Sequence, residues 1–461
     1  MTIADAASSR HRRSGALDAE QYAKENQNVS RRTESATRGA DTTGRADGRP
    51  NIVYLHSHDS GRELSPYGAP VSTPHLQALA ESGTVFRQAF AAAPTCSPSR
   101  AALLTGQWPH QSGMLGLAHR GHQLRDPQRH LARVLADGGY TTILAGLQHL
   151  GTDEATVSAM GYQKVIGTPD TAESAAVRFI EAAPETPFFL DVGFFETHRY
   201  AMAFNPDGER ADGRYYPAPP GLPDTPDSRA DYADYASAAA RLDAKVGRVV
   251  DALERTGQLG RTLVIVTTDH GIPFPGAKCN TNDRGLGVAL IVAGLPQVSG
   301  GRVIDSLVTH LDLYPTICDL TGVEHPHWLE GRSLLPLLDG DVDSLHDEVY
   351  GEVTFHVAYD PLRSVRTSRF RYTRSFLEDR PVTENCDAGL TKNHMLHSCW
   401  PEVPTAQEEL YDVILDPTES NSLVGDLAAS STLDHLRRRL EDWMIRTDDP
   451  LVHGRPAQPV P

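Results

Sequence analysis

The sequence predicts an α/β fold, with a large, mainly parallel sheet sandwiched by helices and a smaller C-terminal α+β subdomain. Short apolar and β-branched runs alternate with amphipathic stretches from Asn51 to Thr321, the pattern of buried strands joined by crossover helices. Polar groups rich in His and Asp stand directly after several of those runs, where parallel sheets place ligand sites. Beyond Asp347 the runs shorten, as expected of a small antiparallel sheet covered by one helix.

Residues 1–49 are rich in Ala, Ser, Thr, Arg, Asp and Glu and nearly empty of large apolar side chains, so they are expected to form a disordered tail. The catalytic α/β unit is placed at 50–345 and the C-terminal subdomain at 346–461. Asn51–Leu55 is the first strand, leading into His56, Ser57, His58, Asp59, Ser60 and Gly61. A helix over Pro74–Ser82 and a strand at Phe86–Ala92 follow. Further on come a helix over Asp126–Gly138, then a strand at Thr141–Ala145 with Gln148 and His149 at its exit. Pro187–Phe194 is a buried strand with Glu196 and His198 just beyond. Pro206–Pro226, full of Pro, Gly and Asp, reads as a surface loop. Ala230–Thr256 is a long helix, with Leu242, Val246, Val249 and Leu253 along one apolar face. Thr262–Thr268 is the clearest strand, ended by Asp269-His270-Gly271. Val288–Ala293 and the helix Asp312–Thr321 continue the alternation. Val349–Thr354, Ser364–Thr367 and Phe370–Arg374 read as short strands, and Leu433–Arg446 as the final helix.

With 43 Lys and Arg against 60 Asp and Glu, the 461-residue chain carries a formal charge of −17. That argues against nucleic acid or an anionic membrane surface as a partner. A small anionic substrate would need a local positive focus. Five cysteines spread over the chain do not suggest a disulfide framework. No apolar run approaches the ~20 residues of a membrane span, and Arg12-Arg13 lacks the hydrophobic stretch of an export signal. The expected location is cytoplasmic.

Pro94–Gly113 brings backbone geometry, charge and an oxidisable side chain together. Ser97 is read as an N-cap, Pro98 as the first helical residue and Gly106 as the stop, which places Cys96 just ahead of a helix N-terminus with Arg100 one turn on. Such an end favours an anion. Taken on composition, a packed turn with an ordinary thiol fits as well. The dipeptides His58-Asp59 and Asp269-His270 likewise have two readings. Each could be a turn or cap, but two carboxylates meeting at neighbouring strand ends need a cation between them.

Cys96-Ser97-Pro98-Ser99-Arg100, continued by Ala101-Ala102-Leu103-Leu104-Thr105-Gly106, resembles the signature of the formylglycine-dependent sulfatases of the alkaline phosphatase superfamily. Collinear matches occur at Ser72–Leu76, His110–Met114, Asp269–Pro275 and Glu409–Asp412 with Asp416-Pro417, and the nearest branch is the heparan N-sulfatase group. The resemblance implies that a formylglycine-generating enzyme oxidises Cys96 to an aldehyde, whose hydrate attacks sulfur. It implies a metal site, usually calcium, at His58, Asp59, Cys96, Asp269 and His270. It also implies that Arg100 orients the nucleophile, His149 assists sulfate release, His198 protonates the leaving group and Lys278 grips sulfate oxygens. The resemblance further implies a sulfate ester or sulfamate, carried by an amino sugar, as the substrate.

The chain departs from the family pattern in three places. His58 stands where Asp is common, His270 where Asn is frequent, and Leu147-Gln148 occupy the neighbourhood of a family Lys. Imidazole nitrogens favour manganese, iron or zinc over calcium. Two other functions remain open: a phosphonate or phosphate ester hydrolase on the same scaffold, or a non-catalytic anion- or sugar-binding protein if Cys96 stays a thiol.

Overall fold

The computed structural model describes residues 48–184, 187–204, 208–298, 300–378, 385, 387–398, 400, 403 and 405–457. The expected tail therefore lies outside the described residues up to residue 47. Arg49 already packs, its guanidinium on the Gly138 carbonyl and over the Tyr140 ring. Cys386, Cys399 and Pro206 also lie outside them.

Eight strands form the large sheet: β1 (Asn51–Ser57), β2 (Thr84–Phe90), β3 (Thr141–Gly146), β4 (Lys164–Ile166), β5 (Phe188–Gly193), β6 (Thr262–Thr268), β7 (Leu290–Ala293) and β8 (Arg302–Thr309). Their order is β4-β3-β5-β1-β6-β7-β2-β8. The sheet is mainly parallel, as expected. Only β7 runs against its neighbours β6 and β2, so β2 still points the same way as β1 and β6. The carboxyl ends of β1, β2, β3, β5 and β6 therefore share one edge.

Alternate residues of β1 feed two cores. Val53 and Leu55 join the helices α1 (Pro74–Ser82), α4 (Ala172–Glu181) and α5 (Pro226–Arg255). Ile52 and Tyr54 join α2 (Cys96–Thr105), α3 (Leu131–Asp137) and α6 (Leu313–Thr321) on the other face. Burial on both faces is why these strands read as continuous apolar runs. No helix among the described residues is long and apolar enough to cross a membrane.

Several boundaries differ from the sequence reading for local reasons. The helix expected over Asp126–Gly138 is two pieces, a turn at Pro127–Arg129 and α3, because His130 is extended and its Nδ1 caps the Ala132 amide. Helix α5 starts at Pro226, four residues early, with the Thr225 hydroxyl accepting from Ser228 N. The strands β4 and β8 were not expected. Both lie at sheet edges, and the first half of β8 is alternately exposed and half-buried, which breaks the apolar run that marks a central strand.

The second sheet is antiparallel, in the order β12-β11-β10-β9, from β9 (Glu348–Phe355), β10 (Tyr359–Thr367), β11 (Phe370–Ser375) and β12 (Glu408–Asp412). Helix α8 (Ser430–Arg446) covers it, and a shared core of Leu436, Leu440, Trp443, Trp108 and Ala102 joins it to α2. Arg363, fully buried, binds Asp449 at 2.5 Å and Glu352 at 3.2 Å, and Glu352 also meets His110 Nδ1 at 2.8 Å.

Burial alone would raise the Asp449 pKa, but Arg363 outweighs it and holds the carboxyl below its ordinary value. A depressed carboxylate contributes stability that is present above the unfolded pKa and lost as pH falls through the folded one. Arg363→Met, which strands two buried carboxylates, should lower stability by about 3–5 kcal/mol at neutral pH. The gap in thermal midpoint between the two proteins should narrow below about pH 4, where carboxylates protonate. A gap independent of pH would refute this account.

Candidate active site

The site is built where β1 and β6 lie side by side, with His56 opposite Thr267 and Ser57 opposite Thr268. The two chains leave the sheet in step, so Asp59 and Asp269 arrive together. Asp59 takes a left-handed conformation at φ 58°, and its amide donates to Asp269 Oδ1 at 2.8 Å. Helix α2 then brings Cys96 over the pair. Its first residue is Cys96 itself, with Thr95 extended at the N-cap, so the expected Ser97 cap does not form. Ser97 Oγ instead accepts from the Ala118 amide at 3.1 Å. Pro98 is tolerated two residues in because the first four amides of a helix have no intrahelical partner. Gly106 ends the helix as expected, at φ 68°.

One ligand atom from each of His58, Asp59, Cys96, Asp269 and His270 lies within 4.8 Å of all the others, and every one of these residues is buried. Asp59 Oδ1 is 2.7 Å from His58 Nδ1 and 3.0 Å from His270 Nε2. His58 Nδ1 is 3.3 Å from Asp269 Oδ2. Cys96 Sγ is 3.5 Å from His270 Nε2 and 4.0 Å from both His58 Nδ1 and Asp59 Oδ1. The ring of His270 is oriented by its other nitrogen, which donates to the Gly271 carbonyl at 3.0 Å. A carbonyl only accepts, so in the neutral ring Nε2 turns a lone pair toward the Asp59 carboxylate. Two acceptors at that distance are joined either by a proton on Nε2 or by a metal ion, and a second-nitrogen bond to a carbonyl is how metal-binding imidazoles are held. The residues present fit a divalent ion.

Two cations and an imidazole surround the carboxylates. Arg100 Nη2 reaches Asp269 Oδ2 at 2.9 Å and the Ser57 carbonyl at 3.1 Å, while Nη1 meets His56. Lys278 Nζ bridges Asp59 at 2.8 Å and Asp387 at 2.9 Å. His198 Nε2 stands 3.9 Å from Asp59 Oδ2. Burial opposes charge on Asp59, but Lys278, His58, His270 and His198 outweigh it and hold the pKa well below the ordinary value. Asp269 is likewise lowered against its burial by His270, His58 and Arg100. Burial pushes the Cys96 thiol well above its usual range, and drives His58 down to about 4. Cys96 as encoded is thus a poor thiolate. This local cationic focus is what the net acidity of the chain required.

His149 lies beside the cluster. Gln148 Oε1 accepts from the amides of Leu150 and Gly151, a tight turn that carries His149 to φ 60°. Its ring centroid is 5.5 Å from that of His58. Leu147 is buried at the spot where a lysine is missing. Instead, the His119 ring stacks on His149 at 5.6 Å, with Nδ1 3.4 Å from His149 Nε2.

Every residue expected at the site is therefore near it. Those missed are His119, Asp387 and the brace behind Arg100, where His56 Nε2 meets Asp191 at 2.8 Å and Tyr162 donates to the same carboxyl. His56 was visible at the polar end of β1, whereas Asp387 sits in a stretch with no periodicity. His198 and Asp387, with side chains 26% and 19% exposed, mark the open side of an otherwise closed site.

Comparison with known proteins identifies the family of the chain. Residues 50–323 match the family described as Sulfatase, and residues 279–388 match the one described as N-sulphoglucosamine sulphohydrolase, C-terminal. Human N-sulphoglucosamine sulphohydrolase (Homo sapiens) is 33% identical, covering 87% of this chain and 91% of that protein. Among solved structures, a 2-O GAG sulfatase superposes with a TM-score of 0.71 at 22% identity, over 88% of this chain and 94% of that one. A phosphonate monoester hydrolase from Silicibacter pomeroyi superposes with a TM-score of 0.69 at 20% identity, over 87% and 96%. These last two are likenesses of fold.

Proposed function

The chain belongs to the sulfatase family, and from that premise we propose that it cleaves a sulfate ester or sulfamate of an amino sugar through residue 96 and a divalent metal. The observation that carries this reading is the placement of Cys96 Sγ within 4.0 Å of His58, Asp59 and His270 in a closed cluster that also contains Asp269. The metal would be held by Asp59, Asp269, His270 and His58, and would supply Lewis-acid stabilisation of charge on the sulfuryl oxygens. Oxidised to formylglycine by a dedicated enzyme, residue 96 would supply a hydrated aldehyde as the nucleophile toward sulfur.

The other roles fall to side chains already in place. Arg100 braces Asp269 from behind and adds positive charge under the nucleophile. Lys278 faces the sulfuryl oxygens from the Asp59 side and offsets their charge. His198 gives the proton at Nε2 to the departing oxygen or nitrogen as its bond to sulfur breaks. Its Nδ1–H is already committed to the Arg199 carbonyl at 2.7 Å, so Nε2 is the atom that exchanges protons. His149, across the cluster, takes the proton that must leave residue 96 as sulfate departs and the carbonyl re-forms, with His119 behind it.

The amino-sugar substrate rests on the name of the human relative and on space. Lys278 also lines a cavity of about 450 Å³ with Asn280, Trp400 and Tyr411 in its walls, room for a sugar beside the site, although neither Cys96 nor His198 lines it. Rates on glucosamine N-sulfate, para-nitrophenyl sulfate, para-nitrophenyl phosphate and a phosphonate monoester, measured side by side, test the reading. The sulfur substrates should be turned over fastest. Faster cleavage of the phosphonate would replace this proposal with the phosphorus-ester alternative.

A further inference from the structure

The strongest polar network outside the reacting groups starts on α5. Asp231, 2% exposed, faces inward and grips Arg199 in a two-pronged pair, Oδ1 to Nη1 at 2.7 Å and Oδ2 to Nη2 at 3.0 Å. Arg199 is itself 3% exposed. Its Nε donates to the Pro273 carbonyl at 3.1 Å, and its guanidinium lies over Phe204 at 4.0 Å and Phe274 at 4.8 Å. A planar fork held on three sides in this way fixes the backbone that carries it. That backbone includes the carbonyl that accepts from His198 Nδ1.

The same carboxylate works on a second arm. Asp231 Oδ2 accepts from the Thr391 amide at 3.1 Å and its hydroxyl at 2.7 Å, at the start of the helix α7 (Leu390–Leu396). A Cβ at Gly389 would fall 2.7 Å from Arg199 Nη1, so the chain entering α7 lies directly on the guanidinium. Two residues before Gly389 is Asp387, the partner of Lys278.

We propose that Asp231 is a positioning residue for the reaction. Through Arg199 it sets the orientation of the His198 imidazole, and through Thr391 it anchors the segment that presents Asp387 to Lys278. The proposal rests on the reading of His198 as proton donor. Without the clamp, the Arg199 carbonyl is free to swing, the His198 ring is free to turn about its last torsion, and Nε2 leaves the leaving group. Misplacement by about 1 Å is enough to lose ~10² in rate.

Leaving-group dependence separates this role from a merely structural one. A proton donor matters little for para-nitrophenyl sulfate, whose phenolate departs unaided, and much for phenyl sulfate. In the mature protein, Asp231→Asn should lower kcat for phenyl sulfate by roughly 10²-fold while leaving kcat for para-nitrophenyl sulfate little changed, with KM raised on both through the second arm. His198→Ala should show the same pattern more strongly. Thr391→Val, which removes the hydroxyl contact and so weakens only the second arm, should raise KM on both substrates alike. Equal losses of kcat on both substrates for Asp231→Asn, or no loss of kcat, would overturn the proposal while His198→Ala still shows the dependence. A His198→Ala variant without that dependence would instead remove the reading beneath it. Should Asp231→Asn fail to fold, Arg199→Lys keeps the charge, loses the fork and is held to the same two outcomes.

Discussion

Cys96→Ala and Cys96→Ser are expected to hydrolyse sulfate esters roughly 10³-fold or more slower than the mature protein, since each removes the nucleophile and not one of several supports. The thermal midpoint of either variant should stay near that of the parent. Cys96 contributes a small side chain at the start of α2, and the helix is held by its buried face and by Ser99, whose hydroxyl donates to the Asp269 carbonyl at 2.5 Å. Peptide mass analysis of the active protein should find an aldehyde in place of the thiol at position 96. An unimpaired Cys96→Ala would end the proposed chemistry, and an intact thiol in fully active protein would do so equally.

The second large effect concerns the ion. Protein purified without chelators should carry stoichiometric manganese, iron or zinc, because the cluster offers two imidazole nitrogens beside two carboxylates. Elemental analysis reads this directly. Asp269→Asn should lose the ion and about 10²–10³ in rate. His270→Asn exchanges a nitrogen ligand for an oxygen and should move the preference toward calcium. Stoichiometric calcium with no transition metal in the parent protein would sink the prediction and leave His58 and His270 as hydrogen-bonding groups only.

The central part of the sheet was readable because burial on both faces leaves a plain mark. Thr262–Thr268 has the same limits in sequence and structure, and Asn51–Leu55 is short by only the two residues that turn polar at its exit. The meeting of Asp59 with Asp269 followed from parallel neighbours ending level. The edges were not readable in this way, since β8 is apolar along only half its length. Nor were the pairings that hold the site from outside, even where one partner, such as Lys278, was expected. Lys278 finds Asp59 from 219 positions away and Asp387 from 109, and Arg199 finds Asp231 across 32. Single charged residues in loops and on helix faces have no periodicity, and only the folded chain says which of them meet. The Ser97 cap was misjudged for a related reason: its hydroxyl had a better acceptor role toward Ala118, in a turn the local pattern could not foresee.

Cys96 is 2% exposed, beneath two strand ends and a loop. An oxidising enzyme has to draw its target side chain into a pocket of its own, and no catalyst of protein size can do that to an atom already enclosed. On the proposed chemistry, maturation would compete with folding in time, and the nascent chain would have a brief window before β6, more than 160 residues downstream, seals the thiol in. Molecules that closed too soon would be stable, correctly shaped and permanently inert. When synthesis outruns the oxidising partner, specific activity should therefore report the history of each polypeptide and not its final conformation.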